Sequence, residues 1–568
     1  MPPEQSPLAQ PRIERDEQLK RLRDVTFDVA VIGGGINGTA IARDAAMRGF
    51  KVALVDQGDF AGATSSRSSK LIHGGLRYLP HGQLRLVRHA LDERERLRRV
   101  TAPHLVHPIR FLFPFYRGRK PGRFAVGLGL MFYDYFAGTP EDERHQRLDA
   151  MRVTDFEPGL RTDGLNGGAV YYDAWGDDAR LTLENALDAA YHGAAIANYV
   201  ALQGLSKDGA HISAAGMRDL ISGASFELRA RRFVNAAGPW VDDVRRMDDP
   251  NAAPCVRLTK GVHLIVSKKR LPLRNALVLS DNTGRIVFVL PRDNYVMVGT
   301  TDTDFNDDRA KVAADAQDVA YLLSVVADAM PGVRVAPGDV AYSFAGLRSL
   351  MAARGRLPPS SVSREEVILE SRSGLHTVAG GKLTAHREIA EKVVDRLAAV
   401  LKRGGAKSST AGTPLPGARA LATVGEEAND YRHALAELPG DVRQILNGRY
   451  GTRAAQVARL AHQRSELSPR LAPDAPAIGA EVVYAVRAEM ARSIADFLVR
   501  RTAMVWRAPY EAAAAAPAVA HILAAELGWN GARERAELEE FMAVTALGTA
   551  AAAGGDGQAG ADARSATR

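Results

Sequence analysis

Three glycines and one acidic residue near the start of the chain have the types and spacing needed to hold a dinucleotide. Gly33, Gly35 and Gly38 follow the pattern G-x-G-x-x-G, and Asp56 follows about twenty residues later. Glycines at these positions allow a tight turn, a close approach of the backbone to a pyrophosphate and close packing of the next helix. The N-terminus of that helix supplies free N–H groups and partial positive charge. A carboxylate at Asp56 suits the ribose of FAD or NAD better than the phosphorylated ribose of NADP.

A strand–turn–helix–strand unit must position these residues, and the surrounding sequence predicts one. Residues 27–32 form an apolar run typical of a buried strand, residues 39–48 predict a helix that Gly49 ends, and residues 51–55 predict a second strand. Because these features occur in register, they favour a dinucleotide site over a glycine-rich turn that binds no ligand. The cofactor candidates in this unit are Gly33, Gly35, Ile36, Asn37, Gly38, Asp56 and Gln57.

The next segment, residues 58–79, concentrates hydroxyl and basic side chains directly after the predicted unit. Its serines and threonine are followed by Lys70, His73, Arg77 and Tyr78. Such a segment can wrap the flavin end of FAD with its hydroxyls and Lys70 near the phosphates, whereas the alternative is a solvated serine-rich loop. The cofactor candidates in this segment are Thr64, Ser65, Ser66, Ser68, Lys70, Leu71 and His73.

The bulk composition narrows the class of protein. The chain has 568 residues, of which 46% are hydrophobic and 25% charged, as in a globular protein of about three or four domains. Its single cysteine, Cys255, excludes an intrachain disulfide and a cysteine-ligated metal cluster, and it fits a reducing compartment. No apolar run is long enough to predict a membrane-spanning helix. The net charge of +8 is compatible with nucleic acid, an anionic membrane or an anionic substrate, but carries little meaning in an Arg-rich composition.

Residues 109–124 place aromatic and basic side chains side by side. The segment contains Phe111, Phe113, Phe115 and Tyr116 together with Arg110, Arg117, Arg119, Lys120 and Arg123. Exposed aromatic rings beside cations would be attracted to an anionic bilayer surface. The alternative is an ordinary strand followed by a solvated basic loop, and composition alone leaves both interpretations open.

A series of motifs, in order along the chain, resembles one known family. After GGGINGTAIARDAAMRG and TSSRSSKLIHGGLRYL come DDARLTLENA at 177–186, VNAAGPW at 234–240, KGVHLIV at 260–266, IVFVLPR at 286–292, VGTTDTD at 298–304, AGLRSL at 345–350 and GGKLTAHRE at 380–388. Over residues 27–545 the chain resembles the FAD-dependent glycerol-3-phosphate dehydrogenases, respiratory enzymes that pass electrons to quinone. The resemblance implies oxidation of sn-glycerol 3-phosphate to dihydroxyacetone phosphate by hydride transfer from C2 to flavin N5. It also implies a cytoplasmic enzyme bound peripherally to the inner face of the cell membrane, and it leaves a homodimer open.

The resemblance also assigns roles to individual residues. It implies His73 as proton acceptor and Arg348 as the group that stabilises charge on the reacting oxygen. The implied substrate-binding residues are Arg77, Tyr78, Thr301, Arg348, Arg364 and Lys382, and further implied cofactor residues are Ala237, Gly238, Trp240, Gly381, Lys382, Leu383 and Thr384. Ser349 and the pair Ala385 and His386 depart from the family pattern, and Ala385 removes a hydroxyl expected near the flavin.

The expected fold class is α/β, with a Rossmann-type FAD-binding domain, an antiparallel β-sheet substrate (cap) domain and a C-terminal all-α domain. The expected FAD-binding domain is assembled from residues 25–105, 176–240 and 346–403. The other expected parts are a disordered lead at 1–24, a basic aromatic membrane-surface or cap segment at 106–175, a substrate or cap domain at 241–345, a linker at 404–417, a helical domain at 418–545 and a disordered tail at 546–568. The clearest helical stretch of the last domain is 481–506.

Other functions stay open beside the leading one. Only one dinucleotide fingerprint is present, so the electrons must pass to quinone or oxygen rather than to a second nucleotide site. The nearest alternative is therefore a glycerol-3-phosphate oxidase. An amine or amino-acid oxidase of the same fold would need fewer cationic side chains. A catalytically silent flavin-binding protein would lack His73, Arg77, Arg348 and Lys382. Neither a metal site nor a nucleic-acid partner is expected.

Overall fold

The computed structural model describes residues 13–75, 84–120, 122–352, 366–405, 407–419 and 426–550. Its helices are α1 (Arg15–Asp24), α2 (Ile36–Met47), α3 (Leu84–Arg96), α4 (Arg123–Ala137), α5 (Ala150–Phe156), α6 (Asp178–Tyr191), α7 (Val241–Asp248), α8 (Ala316–Ala329), α9 (His386–Val400), α10 (Glu426–Ala436), α11 (Gly440–Tyr450), α12 (Ala454–Gln463), α13 (Gly479–Glu489), α14 (Met504–Arg507), α15 (Pro509–Leu527) and α16 (Gly531–Ala550). Its strands are β1 (Thr26–Ile32), β2 (Val52–Val55), β3 (Leu71–Ile72), β4 (Val106–Tyr116), β5 (Gln146–Leu148), β6 (Leu165–Gly176), β7 (Ala195–Ala197), β8 (Val200–Asp208), β9 (His211–Asp219), β10 (Ser225–Asn235), β11 (Val256–Ser267), β12 (Ala276–Ser280), β13 (Ile286–Arg292), β14 (Tyr295–Gly299), β15 (Thr303–Asp304), β16 (Val340–Met351), β17 (Glu366–Glu370) and β18 (Leu375–Gly380).

The first sheet has the parallel core that a dinucleotide fold requires. β1 lies between β2 and β10, with β7 beyond β2 and β18 beyond β10, and all these neighbours run parallel. β17 pairs antiparallel with β18, and the hairpin of β8 and β9 extends β10. Six of the seven residues of β1 are buried, because α1, α2, α6 and α9 contribute to the same core.

The second sheet has ten strands and joins two parts of the chain that the sequence analysis had separated. Its order is β15-β11-β14-β13-β12-β4-β6-β3, with β16 beside β11 and β5 beside β6. β4 and β12 run parallel, and the remaining pairs are antiparallel. Residues 106–175 therefore form one unit with the expected substrate domain instead of a separate segment.

The two faces of the second sheet pack against different partners. One face contributes Leu264 and Val289 to a core shared with α8. The other face contributes Ile265 and Met297 to a core shared with α13 and α15 of the C-terminal domain. The C-terminal helices are thus packed directly on the substrate sheet, and the expected fold class is confirmed.

The predicted disordered lead is wrong for the part of it that the structure describes. α1 covers residues 15–24, and the guanidinium of Arg15 forms a buried ion pair with Asp219 at 2.6 Å. Leu22 of the same helix is fully buried. Apolar residues at 19 and 22 lie one turn apart and give α1 a face that packs on the first sheet; residues 1–12 of the predicted lead lie outside the described residues.

The structure decides between the two interpretations left open for Phe111, Phe113 and Phe115 of segment 109–124. Phe111, Phe113 and Phe115 are buried, because β4 is an interior strand with β6 on one side and β12 on the other. Alternate residues of an interior strand point to the same face, and this face lies in the core shared with the C-terminal domain. The ordinary-strand interpretation is therefore the correct one for β4.

The predicted continuous helix over 481–506 is interrupted twice. Met490 has a φ of +57° and Ala503 a φ of +56°, both in the left-handed region. The carbonyl left without a helical partner at Met490 accepts from Asn198 Nδ2 at 2.9 Å, and that of Glu489 accepts from Arg501 Nη2 at 2.7 Å. Side chains from distant parts of the chain thus stabilise the break.

Part of the predicted linker is packed into the fold, and the last helix extends into the predicted disordered tail. Within 404–417, Thr410 and Leu415 are buried, and the Gly417 N–H donates to the Glu184 carboxylate at 3.0 Å. α16 continues to Ala550, beyond the expected end of the helical domain, and residues 551–568 lie outside the described residues. Among the helices that are described, none is both long enough and apolar enough to cross a bilayer.

Candidate functional site

The turn after β1 has the backbone geometry that the glycine pattern predicts. Gly33 has a φ of +113°, and a Cβ there would overlap the carbonyl oxygen of Ala236. Gly38 lies in α2, where a Cβ would overlap the carbonyl oxygen of Gly33. The N-terminus of α2 is therefore held close against the end of β1, at the carboxyl edge of the parallel sheet, where folds of this kind bind their ligands.

A cavity of 1160 Å³ begins at this turn. The predicted cofactor residues in its walls are Gly33, Gly35, Asp56, Gln57, Thr64, Ser65, Ala237, Gly238 and Trp240. The predicted cofactor residues that do not line it are Ile36, Asn37, Gly38, Ser66, Ser68, Lys70, Leu71, His73, Gly381, Lys382, Leu383 and Thr384. The structure therefore brings together the candidates at the ends of β1, β2 and β10 in one cavity.

Asp56 closes β2 and lines this cavity. Its carboxylate accepts hydrogen bonds from the backbone N–H groups of Gly34 at 2.5 Å and Gly58 at 2.8 Å. Burial raises the pKa of Asp56 to about 6, although those two donors favour the charged form. The group is therefore ionised at neutral pH and can accept from a ribose hydroxyl.

The far wall of the cavity comes from the C-terminal domain. Arg500, Trp529 and Phe541 all line it. Arg500 is fixed by Asp59, 441 positions away in the chain, with Nε 2.5 Å from the carboxylate. No short-range motif could have indicated this wall, because its residues join the site only through the packing of whole domains.

The hydroxyl-rich segment links the nucleotide turn to the second sheet. Ser65 Oγ accepts from the backbone N–H of Ile36 at 2.9 Å. Thr64 donates its hydroxyl proton to the carbonyl of Leu347 in β16 at 2.7 Å. This segment therefore fixes the distance between the predicted cofactor site and β16.

Lys70 has a different position from the one predicted. Its ammonium forms a buried ion pair with Asp178 at 2.5 Å and also donates to the carbonyl of Ser66. Ser68 donates its hydroxyl proton to the same carboxylate at 2.6 Å. The charge of Lys70 is thus balanced inside the protein, which corrects the expectation that it faces the phosphates.

One face of the second sheet closes over the hydroxyl-rich segment. The registers of β13, β14, β11 and β16 place Phe288, Gly299, His263 and Phe344 in one row across this face. The ring of His263 stacks on Phe344 with centroids 4.8 Å apart, and its Nε2 lies 2.8 Å from Ser69 Oγ. His263 lies in the KGVHLIV motif, but it was not among the predicted site residues.

The environment of His263 favours the neutral imidazole. Burial holds the pKa of His263 well below its usual value, and the nearby cations Arg348 and Lys70 lower it further. A neutral imidazole has one nitrogen lone pair that can accept a proton. His263 is therefore neutral at neutral pH but is a weak base, because burial and the two cations oppose the charged imidazolium.

Arg348 lies beside this histidine and is held by the loop after β14. Its Nη1 donates to the carbonyl of Thr301 at 3.1 Å and lies 3.2 Å from an Asp302 carboxylate oxygen, and its Nη2 donates to Thr300 Oγ1 at 2.9 Å. A Cβ on Gly261 of the neighbouring strand would lie 2.7 Å from the guanidinium carbon. Gly261 thus provides the space in which this cation is fixed.

His73 reaches the same row from the nucleotide side. Its ring lies edge-on to Phe288, with centroids 6.5 Å apart. The hydroxyl of Thr384 accepts from the His73 N–H at 3.2 Å and donates to the His73 carbonyl at 3.3 Å. Because Lys382 is only two residues from Thr384, this contact brings the HGG and GGK motifs close together.

Other predicted residues divide into three groups. The hydroxyl of Thr301 is buried and accepts from the backbone N–H of Val262 at 3.0 Å, so it supports the sheet. Asn37 donates to the Gly380 carbonyl at 3.3 Å and ties α2 to the second glycine motif. Arg77, Tyr78 and Arg364 lie outside the described residues.

The residues present fit FAD. Glycines without Cβ atoms hold the start of α2 at one end of the cavity, and an ionised carboxylate is placed for the ribose. The cavity is lined on its other side by side chains of the second sheet and the C-terminal domain, which would shield a large cofactor from water.

Comparison with known protein families assigns the class of protein. The family model for the FAD dependent oxidoreductases matches residues 28–387, and the model for the C-terminal domain of alpha-glycerophosphate oxidase matches residues 408–534. The fold and the site are therefore those of an FAD-dependent oxidoreductase.

Two curated relatives and one solved structure narrow this class. The aerobic glycerol-3-phosphate dehydrogenase of Staphylococcus haemolyticus is 37% identical over 88% of this chain and 90% of its own length. The enzyme of the same name from Staphylococcus epidermidis is 35% identical over 93% and 96%. The structure of glycerol-3-phosphate dehydrogenase from Bacillus halodurans, complexed with FAD, is 29% identical, with a TM-score of 0.78 over 94% of this chain and 98% of that one. The chain belongs to the family of aerobic glycerol-3-phosphate dehydrogenases.

Proposed function

We propose that this chain oxidises sn-glycerol 3-phosphate to dihydroxyacetone phosphate and passes the electrons to quinone in the membrane. Bound FAD would accept the hydride from C2 of the substrate at flavin N5. The observation that carries the proposal is the fixed guanidinium of Arg348 beside the neutral His263, on the sheet face that closes over the nucleotide segment. Oxidation of a secondary alcohol needs a group that stabilises charge on the oxygen, for which Arg348 is proposed, and a base that takes the hydroxyl proton, for which His73 and His263 are the candidates.

The cations of the site suit a phosphorylated substrate. A phosphate monoester is mostly a dianion at neutral pH, and guanidinium groups bind its oxygens through two parallel hydrogen bonds. Arg348 and Lys382, together with Arg77 and Arg364, are the residues that we propose to hold the substrate. An amino-acid substrate would need only one such cation for its carboxylate, which favours the phosphorylated alcohol.

Two histidines compete for the role of proton acceptor. We propose His73 first, because its half-buried ring lies edge-on to Phe288 at one end of the row. His263 is the second candidate because its neutral ring lies near Arg348, but the burial and the cations that keep it neutral also make it the weaker base. In both cases the histidine accepts the hydroxyl proton while the guanidinium of Arg348 stabilises the oxygen.

The first test is anaerobic reduction of the protein by its proposed substrate. The purified holoprotein is mixed with sn-glycerol 3-phosphate, and the absorbance of the oxidised flavin is followed in a stopped-flow instrument. Prompt bleaching is expected with this enantiomer and not with the opposite one. Absence of bleaching with FAD bound would overturn the proposal and direct the search to amino acids. Later admission of air or of a soluble quinone separates an oxidase from a dehydrogenase.

A second test assigns the base. His73→Asn and His263→Asn are compared in the same anaerobic reaction between pH 6 and 8, with the exposed His521→Asn as control. Removal of the base is expected to slow flavin reduction by about 10²–10⁴-fold, whereas the control keeps the normal rate. If neither variant slows reduction by more than about tenfold, neither His73 nor His263 is the acceptor.

A further inference from the structure

The peptide bond between His73 and Gly74 is held by side chains from two distant parts of the chain. The hydroxyl of Thr384 donates to the carbonyl of His73 at 3.3 Å and accepts from its N–H at 3.2 Å. On the other side, the Gly74 N–H donates to the hydroxyl of Tyr133 in α4 at 2.8 Å. Both polar groups of this peptide unit therefore have a fixed partner, directly beside the proposed proton acceptor.

Tyr133 is itself oriented by a buried ion pair. Its hydroxyl lies 2.7 and 2.8 Å from the two oxygens of the Asp173 carboxylate, and Nη1 of Arg94 in α3 lies 2.8 Å from one of them. All three side chains are buried. Because a phenol has one proton and the Asp173 carboxylate accepts it, the lone pairs of the phenol oxygen are left for the Gly74 N–H. We call Tyr133, Asp173 and Arg94 the Tyr133 network.

The phenol of Tyr133 stays protonated in this environment. Burial and the neighbouring Asp173 carboxylate hold the pKa of Tyr133 well above its usual value. The hydroxyl therefore remains both a donor and an acceptor at neutral pH. Tyr133 does not act as a base there, so it can affect a reaction only through the groups that it holds.

Helices α3 and α4 approach the backbone at Gly74 closely. A Cβ on Gly74 would lie 2.6 Å from Cδ2 of Leu91 in α3 and 2.9 Å from Cε2 of Tyr133. Both distances are shorter than van der Waals contact between carbon atoms. A side chain at this position would push the backbone away from the Tyr133 network, so the hydrogen bond from Gly74 to Tyr133 requires glycine.

We propose that Tyr133 is a positioning residue that keeps the imidazole of His73 in place for the reaction. The inference rests on the proposed function, in which His73 accepts the hydroxyl proton of the substrate. A general base has to lie about 2.6–3.2 Å from the atom whose proton it accepts. A displacement of about 1 Å can slow a reaction about 10²-fold. If the Gly74 N–H lost its partner, the adjoining backbone of His73 could shift, and the imidazole would move with it.

The first experiment detects the contact without any turnover. Hydrogen exchange at the Gly74 amide is measured by mass spectrometry on the holoprotein, for the wild type and for Tyr133→Phe, which removes only the hydroxyl. The amide is expected to exchange at least about tenfold faster in the variant, because it loses its hydrogen-bond acceptor. Tyr116→Phe is the matched control, since it removes a hydroxyl that donates to the Arg161 carbonyl at 3.1 Å from the end of β4. Exchange at Gly74 should be unchanged in this control.

The second experiment tests whether the contact acts through His73. Anaerobic flavin reduction at saturating sn-glycerol 3-phosphate is expected to be about 10–100-fold slower in Tyr133→Phe, with normal flavin content, and unchanged in Tyr116→Phe. The double variant His73→Asn/Tyr133→Phe should be no slower than His73→Asn alone, because the position of the base no longer matters once the base is removed. Asp173→Asn, whose amide oxygen can still accept the phenol proton, should slow reduction less than Tyr133→Phe. It also provides a second test if Tyr133→Phe does not bind flavin.

Three results would overturn the inference. They are a wild-type exchange rate at Gly74 in Tyr133→Phe, a wild-type rate of flavin reduction in that variant, and additive slowing in the double variant, which would mean that Tyr133 supports the fold and not His73. If sn-glycerol 3-phosphate failed to reduce the wild-type flavin, or reduced His73→Asn at the wild-type rate, the proposed role of His73 would be wrong and the inference with it. Failure of the inference alone is recognised by a reactive wild-type protein and a slow His73→Asn variant beside an unaffected Tyr133→Phe.

Discussion

The glycines of the nucleotide turn and the glycines of the second sheet make room for different parts of the protein. Gly33 and Gly38 make room for backbone, because a Cβ at either would overlap a carbonyl oxygen. Gly261 and Gly299 make room for side chains, namely the guanidinium of Arg348 and the ring of His263. The backbone at Gly33 and Ala236 is fixed by hydrogen bonds to the carbonyls of Val55 and Ile32, whereas a side chain can rotate. Gly33 and Gly38 are therefore required for the fold and the cofactor site. Gly261 and Gly299 are required for the positions of the reactive side chains.

The largest expected effect is that of Gly38→Ala. In the interior of a helix, replacement of Gly by Ala normally stabilises by about 1 kcal/mol. Here the new Cβ would meet the carbonyl of Gly33, so we expect a destabilisation of about 2–4 kcal/mol and loss of FAD. Flavin content per chain and the thermal unfolding temperature measure both effects.

Gly204→Ala is the matched control, because a Cβ at Gly204 would meet no atom within 4 Å. This control should keep its flavin and its unfolding temperature. If Gly38→Ala also retained full flavin content, close approach of backbone would not be what the glycine turn requires. The proposed difference between the two pairs of glycines would then be wrong for the nucleotide turn.

The second prediction concerns Gly299→Ala, which should separate activity from folding. A Cβ at Gly299 would overlap Cδ2 of the His263 ring, so the ring must turn away from Ser69. We expect full flavin content, an unfolding temperature close to normal and a kcat/KM lowered by about 10²-fold, as for a misplaced catalytic group. Gly261→Ala should act in the same way through Arg348.

The Gly299→Ala and Gly261→Ala variants could also contradict the proposed difference between the two pairs of glycines. Loss of flavin in Gly299→Ala would mean that this glycine supports the fold as Gly33 and Gly38 do. Normal kcat/KM would mean that the position of His263 does not affect the reaction. Flavin content and steady-state kinetics on the same preparation distinguish these outcomes.

The same contrast explains which parts of the site the sequence could predict. The turn from Gly33 to Asp56 is built from neighbours in the chain, and its strands, helix and glycine conformation agree with the prediction. The row of Phe288, Gly299 and His263 depends on the register of separate strands. A histidine inside an apolar strand has the same local pattern whether it supports the core or faces a site. His263 therefore could not be distinguished from a core residue.

Side-chain contacts and strand pairings that no local sequence pattern shows account for the other errors. The stretch 481–506 has a helical pattern, but Arg501 and Asn198 satisfy the carbonyls at the break after Glu489. Arg500 reaches the cofactor cavity only because it pairs with Asp59. The aromatic residues of β4 could equally well have been exposed, and only the strand pairing decides. The exposed apolar side of α4, in contrast, could have been expected from the sequence. Residues 124–133 contain no charged side chain, so no side of this helix is strongly polar.

The smallest predicted effect concerns Asp56, whose carboxylate lies at the end of β2 and lines the cavity near the glycine turn. Its pKa is raised to about 6 by burial, so the carboxylate is charged above that pH and protonated below it. A ribose hydroxyl donates to the charged form, hence FAD affinity should be full above pH 6 and should fall as the pH drops through 6. Fluorescence titration of the apoprotein with FAD should give a Kd about tenfold weaker at pH 5 than at pH 7.5. In Asp56→Asn the Kd should be weaker throughout and independent of pH over this range. A pH dependence that persists in Asp56→Asn would assign the titration to another group. FAD binding at the glycine turn would then depend on backbone groups and not on the Asp56 carboxylate.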